Sequence, residues 1–177
     1  MSLELRTIVD DEIQAFYDAV LRGFHSKPVA GIGEWARSGV ELDRTRAAFD
    51  DGQIVSTVRS HSSQATLPGA VVQAALLTQV TTSPTHRRHG LVSRLLLQDF
   101  HDAVDRGDVV SCLVAAEYPI YGRFGYGVAT ERVQLVIDAT TTQFLPVVID
   151  DDAEVVIADP ETWWAAASAV YDEVRAT

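Results

Sequence analysis

A strand that runs through a basic turn directly into a long helix constrains this sequence more than any other feature. Residues 70–82 have the composition of a strand, and a helical period follows almost at once over Arg88–Arg106. The apolar stripe of this helix consists of Val92, Leu95, Leu96, Phe100, Ala103 and Val104. Gly107 is a suitable helix end. The pattern predicts a domain that contains both helices and strands.

The turn between this strand and this helix is a candidate anion site. The first backbone N–H groups of a helix have no partner within the helix, and they lie at the positive end of its dipole. Gly90 allows a ligand to approach the backbone, and Arg87 and Arg88 add positive charge. The sequence lacks the Gly-Lys-Ser/Thr of a P-loop and the repeated glycines of a dinucleotide fingerprint. Phosphate binding and an exposed basic turn with a packing glycine both remain open from spacing alone.

Composition limits the classes of protein to which the chain can belong. Its 177 residues suit one domain with a short extra piece, and its net charge of −11 argues against a nucleic-acid binder. The charge favours a cationic partner, although it could serve solubility alone. The longest apolar run is too short to span a membrane, and one cysteine, Cys112, excludes an internal disulfide. A cytoplasmic location is expected, and the five histidines show no metal-ligand spacing, so no metal is expected.

The remaining elements can be placed along the chain from periodicity and turn residues. Strands are predicted over Leu3–Val9, 53–59, Val109–Ala115, Val128–Asp138 and Ala153–Ala158, with a polar Ser/Thr segment and a Pro68-Gly69 turn after residue 59. Helical spacing follows Ile13 and stops near Gly23, and a short helix is predicted over Leu42–Phe49. Asp159-Pro160-Glu161 predicts another helix start.

The end of the chain repeats its beginning. Five apolar residues of the first helix, shifted by 150 positions, fall on apolar residues of the last one. The matching residues of the last helix are Trp163, Ala167, Val170, Tyr171 and Val174. This predicts a domain over residues 1–145, and then, over 146–177, a linker with the first strand and helix of a truncated second domain. The alternative is a strand and helix that pack back on a single domain.

Two sequence blocks together resemble a known family. Residues 87–92 are similar to the pyrophosphate loop of GNAT acetyltransferases, Q/R-x-x-G-x-G/A, and match it at Arg87 and Gly90 but not at Val92. A second block, Ile120–Gly127, reads Ile-Tyr-Gly-Arg-Phe-Gly-Tyr-Gly. With Pro84–Arg88 it closely resembles the Eis-type (enhanced intracellular survival) branch of that family. The resemblance implies the α+β GNAT fold, a mixed and largely antiparallel sheet flanked by helices, and acetyl-CoA as co-substrate.

The resemblance also assigns roles to individual residues. The residues implied for acetyl-CoA binding are Val80, Thr81 and Thr82 through their backbone, then Arg88, His89, Gly90, Leu91, Val92 and Ser93 around the pyrophosphate, with Ala116 and Glu117 beside the thioester. Tyr121 matches the general acid of the family. In Eis-type enzymes the general base is the terminal carboxylate of a later domain, which leaves the base open here. Glu117 is a possible substitute.

The chemistry of acetyl transfer is consistent with this assignment. The attacking amine must be neutral, the oxyanion needs donors, and the departing thiolate needs a proton, which a tyrosine hydroxyl can supply. Without the family, Tyr121 would be interpreted as a packed aromatic residue. Phe24 and Trp35 could line an acceptor pocket, because aromatic faces suit cationic amines.

We therefore expect an N-acetyltransferase that acts on a primary amine by direct transfer. An aminoglycoside-like sugar, a polyamine and a lysine side chain are the candidate acceptors. No nucleic-acid or membrane partner is expected, and a homo-oligomer is possible. The alternatives are a non-catalytic acyl-CoA-binding module, a structural part of an oligomer and a nucleotide-phosphate binder.

Overall fold

The computed structural model describes residues 3–131, 133–138, 140–141, 154 and 156–175. The chain divides into two compact units, Met1–Ile120 and Tyr121–Thr177. None of the helices in the described ranges is long and apolar enough to cross a membrane.

The first unit is a five-stranded sheet with helices on it. Its strands are β1 (Leu3–Thr7), β2 (Thr45–Asp50), β3 (Gln53–Leu67), β4 (Ala70–Thr82) and β5 (Val110–Leu113), and its helices are α1 (Ile13–Gly23), α2 (Ile32–Ala36) and α3 (Leu91–Arg106). Short 3-10 turns lie at Asp10–Glu12, Arg37–Gly39, Leu42–Arg44, Pro84–His86 and Tyr118–Ile120. The strand order is β1-β2-β3-β4-β5, with β1 to β4 antiparallel and β5 parallel to β4. The predicted mixed, largely antiparallel sheet is confirmed.

Helix α1 packs one apolar face on the sheet and ends against β4. Phe16 and Ile13 are fully buried in a core that includes Phe49 of β2. The predicted stop at Gly23 is confirmed, and the reason is a close approach. A Cβ at residue 23 would lie 2.4 Å from Cβ of Thr81. Only glycine lets the end of α1 lie this close to the end of β4.

Ion pairs connect α3 and the residues after it with β2 and the turn before it. The guanidinium of Arg44, the residue before β2, donates to Asp108, two residues after α3, with an Nη1–Oδ2 distance of 2.9 Å, and both side chains are buried. Arg46 of β2 forms an ion pair with Asp102 of α3. Charges removed from water are stable only when they are paired, so these contacts fix how α3 lies on the sheet.

Asp99 lies on the same side of α3 and is almost completely buried. Its Oδ1 accepts a hydrogen bond from the Ser60 hydroxyl at 2.8 Å, and the nearest guanidinium, that of Arg106, is 3.9 Å away. Burial raises the pKa of Asp99 above its usual value, although Ser60 and Arg106 oppose the shift. The folded protein therefore binds this proton more tightly than the unfolded chain does, and the stability that Asp99 contributes is lost as the pH rises through its folded-state pKa.

We expect Asp99→Asn to raise the free energy of unfolding at pH 7 by about 1 kcal/mol, because the amide keeps an acceptor for Ser60 without a buried charge. The gain should shrink as the pH falls and vanish below about pH 3, where the carboxyl is protonated in both states. Urea unfolding at several pH values measures it. A constant difference between pH 3 and pH 7 would contradict this account.

Two predictions in the first unit are wrong. The predicted helix over Leu42–Phe49 is a single 3-10 turn followed by β2, because residues 45–50 hydrogen-bond to strands on both sides. The polar segment after residue 59 is not a linker but the second half of β3, which pairs with β4 as far as Leu67 and Ala70. The turn at Pro68-Gly69 is confirmed.

The second unit contains helix α4 (Pro160–Arg175), and the predicted start of this helix is confirmed. The Asp159 carboxylate accepts hydrogen bonds from the backbone N–H groups of Glu161 and Thr162 at 3.0 and 2.9 Å, which is helix capping. A short 3-10 turn lies at Gly122–Phe124.

The described residues of the two strands predicted in the second unit are not in strands. Of the predicted strand Val128–Asp138, residues 128–131 and 133–138 are described and none is in a strand. The same holds for residues 154 and 156–158 of the predicted strand Ala153–Ala158, whose other residues lie outside the described ones. Leu135 and Val136 are exposed there, and an apolar, alternating pattern forms a strand only where a partner supplies hydrogen bonds.

Candidate functional site

The candidate site begins where β4 separates from β5. The two strands pair from Ala74 with Val110 to Leu77 with Leu113, and no pair between them is described beyond this point. Val80, Thr81 and Thr82 lie past the last pair. The edge of β4 that faces β5 is thus open over these three residues, and an extended ligand could bind to its backbone groups.

A β-bulge in β4 lies at the start of this open edge. Thr57 pairs with Thr81 and Arg59 with Thr78, so two residues of β4, Gln79 and Val80, lie opposite one residue of β3. The backbone of Gln79 has a φ of 53°. Bulges bend a strand and end regular pairing, which explains why β4 turns away from β5 here.

Hydroxyl groups of β3 hold the bulged end of β4 in place. The Thr57 hydroxyl donates to the carbonyl oxygen of Gln79 at 2.7 Å, and the Ser56 hydroxyl donates to that of Thr81 at 2.8 Å. Both β3 residues are buried. Sequence reasoning missed Ser56 and Thr57, because a hydroxyl in a strand does not indicate which backbone group it will bond.

The loop from β4 to α3 presents free backbone donors and positive charge. Arg88 and Gly90 both have left-handed backbones, with φ of 67° and 69°, and α3 begins at Leu91. The first hydrogen bond of the α3 backbone is donated by the N–H of Arg94 to the Gly90 carbonyl at 3.1 Å. The N–H groups of residues 91–93 come before it, and such groups at a helix start have no acceptor within the helix.

This loop can accommodate a phosphate. Apart from Gly90 and its two chain neighbours, no heavy atom of the described residues lies within 4 Å of the position that a Cβ on Gly90 would take, so a ligand can reach the backbone. Arg87, Arg88 and His89 are exposed. Buried Leu91 anchors the helix start in the core. The donors, the charge and the space suit a phosphate or diphosphate group.

A cavity of about 640 Å³ lies beside the loop, between one side of α1, the turn from β2 to β3 and residues 83–86. Its charged lining residues include Glu12, Asp18 and Arg22. The Arg6 guanidinium donates two hydrogen bonds of 2.7 Å to Glu12 and holds the pKa of that carboxyl below its usual value. In the described part of the chain, no cluster of three or more His, Cys, Asp or Glu could hold a metal ion.

The other predicted site residues are spread over both units. In the first unit, Ala116 and Glu117 follow β5 and are exposed, Phe24 follows α1 and is half-exposed, and Trp35 on α2 is 80% exposed. Tyr121 belongs to the second unit, where its ring lies 5.9 Å from that of Tyr126 in an edge-to-face contact. The structure thus brings together the β4 edge and the loop.

Known proteins resemble most of this chain. The family model described as an acetyltransferase (GNAT) domain matches residues 4–129. An uncharacterized N-acetyltransferase of Streptomyces avermitilis is 41% identical over 147 residues, which cover 81% of this chain and 35% of the relative. The chain thus spans about a third of the length of this curated relative.

Solved structures confirm the predicted GNAT fold. Eis1 from Mycobacterium abscessus matches with a TM-score of 0.64 and 30% identity, over 73% of this chain and 32% of that one. A predicted acetyltransferase from Clostridium acetobutylicum, crystallised with acetyl-CoA, matches with a TM-score of 0.64 and 20% identity, over 76% of this chain and 96% of that one. The likeness to Eis1 agrees with the resemblance seen in the sequence.

Proposed function

The chain belongs to the GNAT acetyltransferase family, and we propose that it is the acetyl-CoA-binding part of an N-acetyltransferase that acetylates a primary amine. The observation that carries the proposal is the continuity of the site. The open edge of β4 over residues 80–82 leads directly into the loop with the free N–H groups and two arginines. A long ligand with a polar amide arm and a charged diphosphate matches both parts.

We assign the two parts of the ligand to different residues. Val80, Thr81 and Thr82 would bond the amides of the pantetheine arm through their backbone, because this edge lacks a β5 partner. The residues that would bind the pyrophosphate are Arg88, His89, Gly90, Leu91, Val92 and Ser93. Ala116 and Glu117, which follow β5, would lie at the acetyl end of the arm.

Acetyl-CoA supplies an activated acetyl thioester when it is bound. The Tyr121 hydroxyl would give its proton to the departing thiolate of CoA, as general acid. The acceptor amine must reach the thioester neutral, and Glu117 is the candidate among this chain's residues to take its proton. Transfer would be direct, within one ternary complex.

The net charge of −11 favours cationic acceptors such as aminoglycoside-like sugars, polyamines or lysine side chains. Phe24 and Trp35 are exposed aromatic residues of the first unit and could contact a cation through their rings. A cytoplasmic location and a homo-oligomeric state remain predictions.

We further propose that residues 1–145 form the acetyltransferase domain and that 146–177 begin a second, similar one. The exposed apolar residues of α4, among them Trp163 and Trp164, support this, because a helix normally buries such a face. The second candidate function is a non-catalytic acyl-CoA-binding or structural module, which would apply if Glu117 does not take the proton of the amine.

Titration of the chain with acetyl-CoA in a calorimeter tests the proposal. We expect binding, and we expect Arg88→Gly to weaken it by about 10- to 100-fold, because a charge-assisted hydrogen bond to phosphate is worth about 1.5–3 kcal/mol. Glycine is the suitable replacement because residue 88 has a φ of 67°. Arg37→Gln, which removes an exposed charge of the first unit, is the control.

Three other results would change the conclusion. A folded chain that does not bind acetyl-CoA would contradict the proposal. Binding without acetyl transfer to any of an aminoglycoside, a polyamine and a lysine peptide would favour the non-catalytic module. ATP that competes with acetyl-CoA at similar affinity would indicate a nucleotide-phosphate site.

A further inference from the structure

A histidine in the loop from β4 to α3 is hydrogen-bonded to the hairpin that β2 and β3 form. Nε2 of His86 lies 3.1 Å from Oδ2 of Asp50, the last residue of β2. The two side chains are only 15% and 18% exposed. His86 is two residues before Arg88, so the contact lies at the base of the loop that carries the proposed pyrophosphate site.

The Asp50 end of this contact is rigid. Asp50 pairs with Leu3 of β1 on one side and with Gln53 across the β2–β3 turn on the other. The two residues of the turn, Asp51 and Gly52, have φ of 47° and 76°. Two successive positive φ values are typical of the tight two-residue turn whose twist matches that of its strands.

The loop end of the contact is held by a short chain of hydrogen bonds. Nδ1 of His86 lies 2.8 Å from the Thr85 hydroxyl, which in turn lies 3.0 Å from the Ser83 hydroxyl. The backbone N–H of Ser83 donates to the carbonyl of Val55 on β3 at 2.8 Å. Both ring nitrogens of His86 are therefore engaged, which fixes the orientation of the ring.

Packing supports this segment poorly on one side. Residues 83–86 line the 640 Å³ cavity that separates them from α1. On that side they lack the close contacts that hold a buried segment in place. Within the described residues, the His86–Asp50 contact is the side-chain hydrogen bond that joins the loop to the hairpin.

We propose that Asp50 and His86 are positioning residues for the acetyl-CoA loop, and this inference rests on the proposed function of that loop. The rigid hairpin holds His86 through Asp50, and His86 holds the backbone that leads into Arg88 and Gly90. Neither side chain needs to touch the ligand. Their role is to keep the N–H groups and the Arg88 charge where the phosphates bind.

The test is a double-mutant cycle on the affinity for acetyl-CoA. We expect Asp50→Ala and His86→Ala each to raise the Kd by about 10-fold, because small displacements of binding groups have large effects. The double variant should bind acetyl-CoA no more weakly than the weaker-binding single variant, since each substitution already removes the same contact between His86 and Asp50. Asp50→Asn, which keeps an acceptor oxygen for His86, should restore most of the affinity.

Matched variants separate this role from general stability and from the proposed function. Asp51→Asn removes a charge from the same turn and suits a positive φ, so its Kd should equal that of the unmodified chain. Thermal unfolding shows whether each variant is folded at the titration temperature. If Arg88→Gly weakens binding while the Asp50 and His86 variants do not, the inference is wrong and the function stands. If additive losses appear in the double variant, the two residues do not act through each other and the inference is also wrong.

Discussion

Arg44→Ala should lower the free energy of unfolding by about 3 kcal/mol, the lower end for breaking a buried ion pair. The buried Asp108 carboxylate then keeps the Arg106 guanidinium, whose Nε is 3.5 Å from its Oδ2, in place of the closer Arg44. Only 6% of the Arg44 side chain and 4% of the Asp108 side chain are exposed. Nε of Arg44 also lies 3.1 Å from a carboxylate oxygen of Glu41. Urea unfolding followed by circular dichroism measures the loss.

Two controls show whether burial is the cause. Arg37→Ala breaks an arginine–aspartate pair with Asp10 whose side chains are about half exposed, and it should cost less than about 1 kcal/mol. Arg44→Met combined with Asp108→Leu replaces both buried charges, and it should recover most of the loss. Equal effects of the two single arginine variants would contradict the prediction.

The parts of the fold that could be predicted depend on local signals. Helix α1 ends at Gly23 and α3 at Arg106, next to Gly107, as the glycine positions indicate. The turn from β4 into α3 was also predictable, because a helix start, a glycine and two arginines are adjacent in sequence. These features need only hydrogen bonds between neighbouring residues.

The missed features depend on contacts between distant residues. Nothing local indicates that Asp99 and Ser60 will form a hydrogen bond, or that β4 carries a bulge opposite Val58. The helix predicted over Leu42–Phe49 fails for the same reason, because the hydrogen bonds of β2 come from β1 and β3. Pairing partners override weak local preferences.

The candidate site shows the same division. The loop residues could be predicted because a phosphate-binding pattern is continuous in sequence. Ser56, Thr57 and Asp50 support that pattern from other strands, and their side chains bond to positions 22 to 36 residues away. Sequence reasoning thus finds the groups that would touch the ligand sooner than those that hold them in place.

Tyr121→Phe should lower the turnover of acetyl transfer by about 10²- to 10⁴-fold, the usual contribution of a general acid. The substitution removes only the hydroxyl and keeps the ring, which contacts Tyr126 edge-to-face at 5.9 Å. Affinity for acetyl-CoA should stay within about 2-fold, because the proposed role concerns the departing thiolate and not ground-state binding. Release of CoA thiol in the presence of an amine acceptor measures turnover, and calorimetry measures affinity.

The matched control is Tyr126→Phe, which removes the hydroxyl of the neighbouring ring in the same glycine-rich turn. If Tyr121 is the acid, this control keeps turnover within a few-fold, because its ring still supports Tyr121. Equal losses in both variants would mean that the turn needs both hydroxyls for its structure. Unchanged turnover in Tyr121→Phe would reject the general-acid role. That result would mean that the thiolate of CoA departs without a proton from Tyr121. The barrier would then lie in the attack of the amine, and the search would turn to the group that deprotonates it.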